Sequence, residues 1–312
     1  MPDSNIESHL KENFHGKVLR DISLKEYTSL NIGGRAGYLL MPEDPLSLKN
    51  LIDLLTERSI GYFIIGGGTN LLVLDGGVDK VLISLRSFHR LEIVEEHGDE
   101  VMVFAQAGLS LQGLVRFSGN EGLSGIEGLA GIPGTLGGAL FGNAGSFGFE
   151  IHDVVRRITV IGGGGMSVIE GDEIRTSYRS GGVPGGITIV GAHFTLKRDD
   201  PLAVKKRTAG YIQQKKASQP LDKRSAGCVF KNPPDRSAGK LIDDAGCKGM
   251  RIGDIEVSGR HANFFINLGE GRAVDFLRLM NEVSGRVFDL HGIALVPEIR
   301  IIGRKPEESR AG

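Results

Sequence analysis

The sequence predicts an α+β protein of two or three domains, on three observations. At 312 residues the chain is longer than one ordinary domain and can bury more than one core. Strands pair through tight turns in at least two places: Leu91–Val94 with Val101–Ala105 around His97-Gly98-Asp99, and Val154–Val160 with Met166–Ile169 around Gly162–Gly165. Runs with helical spacing stand between and after them, at 45–55 and 272–290.

Residues 1–20 are polar and without clear period, and are expected as a short helix or a loose arm. Tyr38–Met41 reads as a strand. Asp44 suits an N-cap and Pro45 the first helical position, and Leu48, Leu51, Ile52 and Leu55 make one apolar face. Strands are expected at Tyr62–Ile65 and Lys80–Leu85. Ser110 can cap a helix with Leu111, Leu114 and Val115 inside, ending near Gly119 or Gly122. Ile187–Val190 reads as a strand and 199–218 as a polar, basic connecting helix. Then come a short strand within 225–233, a helix Ala238–Ala245 capped by Ser237 and closed by Gly246, and strands Met250–Val257 and Ala262–Leu268. Phe276, Met280, Val283 and Val287 share one face of the helix 272–290, which Gly292 stops, and Leu295–Ile302 reads as the last strand.

Glycine is the anomaly, with 47 residues, about twice the usual share. It concentrates in Gly125–Gly148, GIEGLAGIPGTLGGALFGNAGSFG. Glycine lets a backbone approach a ligand closely, and successive N–H groups can form a concavity for a diphosphate. A tightly packed turn without a ligand fits the same composition. Pro133, Thr135, Asn143 and Ser146 make the run too polar for a membrane span. A second loop, Gly66-Gly67-Gly68-Thr69-Asn70, follows a strand, but another strand and no long helix comes after it, which disfavours a Rossmann fingerprint; no G-K-[ST] occurs, which excludes a Walker loop.

A net charge of −1 gives no general field for nucleic acid or an anionic membrane. Two cysteines make no disulfide framework or four-thiolate metal site, and no leader pattern opens the chain, so a cytosolic protein without a structural metal is expected. Taken singly, Arg179 is a lone arginine, Cys228 reads as a buried small hydrophobe or a reactive thiol, and His261 as a core or turn residue. Glu298 and Arg300, two apart on a strand, read as a surface pair or a site.

Taken together, YTSLNIGGRAG (27–37), GGGTNLL (66–72), GLAGIPGTLGGALFGNAG (128–145), Tyr178-Arg179-Ser180, GCVFKNP (227–233), AGCKGMRIG (245–253), SGRHANFFIN (258–267) and VPEIR (296–300) resemble, in order, the UDP-N-acetylenolpyruvoylglucosamine reductase family. The resemblance spans roughly residues 20–303, and the short interval between Tyr178 and Ile187 resembles the subgroup without a tyrosine-bearing insertion.

It implies a two-subdomain FAD-binding region of the vanillyl-alcohol-oxidase (PCMH) kind at 1–85 and 86–198, and a C-terminal α+β substrate-binding domain at 199–312. Gly66, Gly67, Gly68, Thr69 and Asn70, with Gly131, Ile132, Pro133, Gly134, Thr135, Gly138, Asn143, Ala144 and Gly145, are implied to bind FAD, without a covalent link because neither loop has a histidine. The family's reaction takes a hydride from NADPH by way of the flavin to the enolpyruvyl ether of UDP-N-acetylglucosamine enolpyruvate, making the peptidoglycan precursor UDP-N-acetylmuramate. Arg179 is implied to stabilise the resulting enediolate, Glu298 to assist, and Cys228 to donate the proton, a departure from the serine usual there. Lys215, Lys216, Lys231, Asn232 and Arg300 are implied substrate contacts. A cytoplasmic monomer without nucleic-acid or membrane partners is expected. The competing classes are a flavin oxidase of the same superfamily acting on an alcohol and a flavin-binding module without chemistry.

Overall fold

The computed structural model describes Leu10 and residues 14–305. Two compact units divide them. Unit 1 takes in the described residues up to Leu19, Tyr38–Gly67 and Lys80–Gln214; unit 2 takes in Arg20–Gly37, Gly68–Asp79 and the described residues from Lys215 on. Each has its own apolar core, one including Leu40, Leu48, Ile83, Val103, Leu114 and Phe194, the other Leu30, Leu72, Phe230, Phe265, Phe276 and Val283.

The N-terminal part carries β1 (Gly16–Ser23), β2 (Arg35–Pro42), α1 (Pro45–Glu57), β3 (Tyr62–Ile65), β4 (Leu71–Val73) and β5 (Val81–Ser84). Strands β1-β2-β5-β3 form a sheet in that order. β5 pairs in parallel with β2 and β3, and all four of its residues are buried, as a strand covered on both faces requires. Asp44 caps α1 by accepting the Ser47 amide at 2.8 Å, and Leu48, Leu51, Ile52 and Leu55 are buried, as the spacing predicts. β1 differs from the expectation for residues 1–20. Its residues are half-buried or exposed without alternation, so no apolar period announced it; the remainder of that stretch, 1–9 and 11–13, lies outside the described residues.

Unit 1 continues with β6 (Leu91–His97), β7 (Glu100–Gln106), α2 (Leu111–Glu121), β8 (Leu123–Ser124), α3 (Leu136–Phe141), β9 (Gly145–Ser146), β10 (Phe149–Glu150), β11 (Val155–Gly162), β12 (Gly165–Glu170), β13 (Thr188–Arg198) and α4 (Pro201–Ser218), whose last turn passes into unit 2. An antiparallel sheet runs β12-β11-β13-β7-β6, with β8 on β13. Both expected hairpins are in it, closing at His97↔Glu100 and Gly162↔Gly165. Ser110 caps α2 and Gly122 ends it in the left-handed region at φ +65°.

Unit 2 adds β14 (Arg224–Cys228), α5 (Ala238–Asp244), β15 (Arg251–Ile252), β16 (Ile255–Val257), β17 (Phe264–Asn267), α6 (Ala273–His291) and β18 (Arg300–Ile302). One sheet runs β14-β17-β16-β15, and β18 pairs in parallel with β4. α6 buries Phe276, Met280, Val283 and Val287 and stops at Gly292. Its first amides are satisfied from afar, since Asp75 accepts Ala273 N and Val274 N at 3.0 Å each. The expected strand 295–302 is regular only over Arg300–Ile302. Pro297 has no N–H for a ladder, and the segment before it bonds instead to residues 229–231. No helix among the described residues is long and apolar enough to cross a membrane.

Candidate active site

In unit 1 the glycine stretch is held open by its neighbours. Residues 128–149 carry no charge, and Thr135 opens α3 within them by accepting the Gly138 amide. The carbonyls of Leu109 and Ala107 receive Leu136 N and Gly137 N at 2.8 Å each, and Gly134 O receives Leu111 N at 3.0 Å. One side chain organises the loop before α3. Gln112 donates through Nε2 to Leu129 O (3.2 Å) and Ile132 O (2.8 Å), and accepts Gly131 N at Oε1 (2.9 Å). A single amide thus fills three backbone valences around Gly131.

Glu127, 4% exposed, anchors the entry to the stretch. Its Oε1 accepts Arg207 Nε (3.0 Å) and Nη2 (2.7 Å), and its Oε2 accepts Gly125 N (2.7 Å). Charge-assisted bonds of this kind compensate a buried carboxylate. Gly66, at the end of β3, approaches Thr135 so closely that a Cβ there would lie 2.5 Å from Oγ1. The first residues of one predicted loop and the middle of the other therefore meet.

A backbone cradle with half-buried Gly131, Ile132, Gly134 and Thr135, no carboxylate, and no space for a side chain at Gly66 fits a nucleotide diphosphate. Asn143 Oδ1, wholly buried, has no hydrogen-bond partner among the described residues, while Ala144 and Gly145 lead from it into β9. At the far end of α3 the His152 ring donates from Nε2 to Leu140 O at 2.9 Å; burial lowers its pKa and favours the neutral ring. Arg179 occupies a closed turn, with Ser177 and Ser180 exchanging backbone hydrogen bonds of 3.0 and 2.9 Å and its guanidinium 4.8 Å from the Tyr178 ring centre.

The other half of GGGTN belongs to unit 2. Gly68 has φ +63°, and a Cβ there would lie 1.9 Å from Tyr27 O, so only glycine fits. Its carbonyl accepts Ser29 N at 3.1 Å, which packs the YTSLN motif beneath Gly68-Thr69-Asn70. Asn70 then joins the C-terminal motifs: its Nδ2 donates to Glu298 O at 3.3 Å and its carbonyl accepts Arg300 N at 3.0 Å.

Cys228, half-buried, ends β14 opposite Phe264 after a bulge at Gly227. Glu298 N donates to Val229 O (2.8 Å) and Lys231 N to Val296 O (2.8 Å), so the segment that follows Cys228 runs beside the segment that carries Glu298. Buried Asn263 holds the first of these segments, accepting Phe230 N at 2.9 Å and donating to Phe230 O at 2.7 Å. The candidate substrate residues fare differently. Arg300 begins β18, Lys231 is half-buried, and Asn232 spends its Oδ1 on the Ala238 amide at the start of α5 (2.9 Å). On α4, Lys215 is 3% exposed whereas Lys216 is exposed.

Gln112, Glu127, Glu150 and Asn263 were not singled out in the sequence. Glu127 had a signal, being the one charge between Gly122 and Glu150; Gln112 had none, because its partners are backbone atoms well along the chain.

Residues 219–302 match the model of the UDP-N-acetylenolpyruvoylglucosamine reductase C-terminal domain, and residues 36–169 match that of an FAD binding domain. The chain is 39% identical over 303 residues to the UDP-N-acetylenolpyruvoylglucosamine reductase of Geobacter metallireducens, covering 97% of this chain and 100% of that one. It is 38% identical over 288 residues to that of Geotalea uraniireducens, covering 92% and 95%. Among solved structures, the reductase of that name from Thermus caldophilus superposes with a TM-score of 0.81 at 35% identity, covering 93% of this chain and 100% of that one.

Proposed function

This chain belongs to the UDP-N-acetylenolpyruvoylglucosamine reductase family, and we propose that it reduces the enolpyruvyl ether of UDP-N-acetylglucosamine enolpyruvate to UDP-N-acetylmuramate, with NADPH as reductant. The observation that carries this reading is the backbone pairing in unit 2 that brings the segments of Cys228 and Glu298, a thiol and a carboxylate, side by side, with Glu298 N on Val229 O and Asn70 Nδ2 on Glu298 O. FAD, when bound, supplies the hydride. Gly66, Gly67, Gly68, Thr69 and Asn70, with the loop 131–134, Thr135 and Gly138, are the groups proposed to hold it. Asn143, Ala144 and Gly145 close the cradle.

Hydride addition at the methylene carbon leaves negative charge beside the substrate carboxylate, where it spreads as an enediolate. The guanidinium of Arg179 offsets that charge, and Glu298 helps deliver the proton to the carbon next to the carboxylate, not to the methylene carbon that took the hydride. Cys228 donates the proton from Sγ. A thiol, with a reference pKa of about 8.5, is mostly protonated at neutral pH and is a stronger acid than a serine hydroxyl. Lys215, Lys216, Lys231, Asn232 and Arg300 are proposed to bind the substrate, the lysines its diphosphate. A soluble cytoplasmic monomer is part of the same reading.

The test is anaerobic. NADPH bleaches the FAD-loaded enzyme, and the enolpyruvyl substrate then restores the oxidised spectrum and yields UDP-N-acetylmuramate; a flavin that stays reduced overturns the proposal. Cys228→Ala is expected to leave bleaching by NADPH within about threefold while slowing product formation by about two orders of magnitude, the usual worth of a positioned acid. Cys228→Ser should keep much of the turnover. Equal loss in both half-reactions would make the cysteine structural.

A further inference from the structure

Arg179 sits at φ +58°, in the left-handed region that a non-glycine residue occupies only under strain. Such a conformation persists where the surroundings over-determine it. Here the turn Ser177–Ser180 is fastened on both sides to the C-terminal end of α3. Downstream, Gly181 N donates to Phe141 O at 2.9 Å, in a contact so close that a Cβ on Gly181 would lie 1.9 Å from Leu140 O. Upstream, Ser177 O accepts the Asn143 amide at 3.4 Å.

Asn143 is 0% exposed and itself at φ +44°. Its Nδ2 faces two acceptors, Ser177 O and, at 2.6 Å, Glu150 Oε2. An asparagine amide is nearly symmetric in shape, and only its partners decide which end faces which way. A carboxylate accepts and never donates when ionised, so Glu150 admits one orientation; turned over, Oδ1 would confront both Glu150 and Ser177 O. Glu150 is held in turn by β10, where it pairs with Gly145, and by its own amide, which donates to Asp153 Oδ2 at 2.8 Å.

We propose that Glu150 is a positioning residue for Arg179: its carboxylate sets the orientation of the Asn143 amide, and that amide holds the Arg179 turn against the end of α3. Glu150 touches neither substrate nor cofactor in this scheme. The consequence for turnover rests on the role given above to Arg179, whereas the consequence for the turn does not.

Two measurements on the FAD-loaded full chain test it. In the anaerobic half-reactions, Glu150→Ala is expected to slow substrate-driven reoxidation by about tenfold or more, as a small misplacement of a charge-stabilising group does, with NADPH bleaching of the FAD-saturated enzyme within about threefold. Glu150→Gln, which keeps an acceptor at the same reach, should recover most of that loss. In an Arg179→Ala background, Glu150→Ala should add less than about twofold, because the two changes then remove one interaction. Equal loss in both half-reactions, or full additivity with Arg179→Ala, overturns the proposal.

Hydrogen exchange supplies the second readout. Exchange of the Ser180 and Gly181 amides should rise in Glu150→Ala while the amides of β11 and β13 stay unchanged; no rise at Ser180 and Gly181 overturns the proposal. This readout decides the matter even where wild-type enzyme fails to turn over the enolpyruvyl substrate, an outcome that rejects the proposed function alone. Should Glu150→Ala not fold, Glu150→Met, which keeps the bulk and lacks the acceptor, takes its place in both.

Discussion

Two glycine-rich runs of unit 1 look alike as text and differ in what encloses them. Within Gly125–Gly148 the space is taken at particular positions: a Cβ on Gly128 would lie 2.2 Å from the Phe149 ring, one on Gly145 would lie 2.6 Å from Phe149 O, and one on Gly137 would lie 3.0 Å from the Ala107 side chain. At Gly162–Gly165 the chain simply turns between β11 and β12, and a Cβ on Gly163 or Gly164 would meet nothing within 4 Å. Glycine in the first run answers to packing and ligand approach; in the second it answers to a hairpin's geometry. Density of glycine alone does not separate the two, but the neighbours do.

The comparison breaks most readily at Gly145. There the obstacle is a backbone carbonyl of the paired strand β10, which cannot rotate aside. Gly145→Ala should therefore cost about 2–3 kcal/mol of stability, at the upper end of overpacking penalties, read as a lowered midpoint in denaturant unfolding with an unchanged slope. A change below about 0.5 kcal/mol would mean that the stretch is looser than its contacts indicate.

Gln112 sharpens the comparison from outside the run. Gln112→Ala strips Gly131 N and Ile132 O of their Gln112 bonds and leaves Leu129 O with the Ile132 amide alone, which costs about 1–2 kcal/mol in all where water can reach part of the gap. Because these atoms shape the loop proposed for the diphosphate, FAD affinity, followed by flavin fluorescence, should fall by about tenfold. Loss of stability with unaltered affinity would remove the loop from the cofactor site and leave it a packed turn.

What the sequence made legible follows the same division between local and distant causes. Asp44, Ser110, Gly122 and Gly292 announced helix ends because a cap acts within a few residues of the chain. The candidate site residues stood in ordered motifs, and the adjacency of those motifs was not legible: Asn70 meets Glu298 and Arg300 across more than two hundred residues, and Val229, next to Cys228, accepts the Glu298 amide. β1 was missed for another reason, its residues being half-buried or exposed without alternation, and the strand 295–302 was overextended because Pro297 interrupts a pattern that apolar spacing alone continues. Gln112, Glu127 and Glu150 act on backbone carbonyls, amides or a neighbouring side chain, and no residue-type pattern records such partners.

Gly163 gives the smallest expected effect and the cleanest control. It is exposed, faces open space, and its φ lies outside the left-handed range that Gly165 occupies at +96°. Alanine there meets no atom in the folded state and narrows the choices of the unfolded chain, which favours folding. Gly163→Ala should shift stability by no more than about 0.5 kcal/mol, toward greater stability, with FAD affinity unchanged. A loss comparable to that of Gly145→Ala would show that the tetraglycine turn is enclosed by something more than the hairpin, and the contrast between the two runs would fall with it.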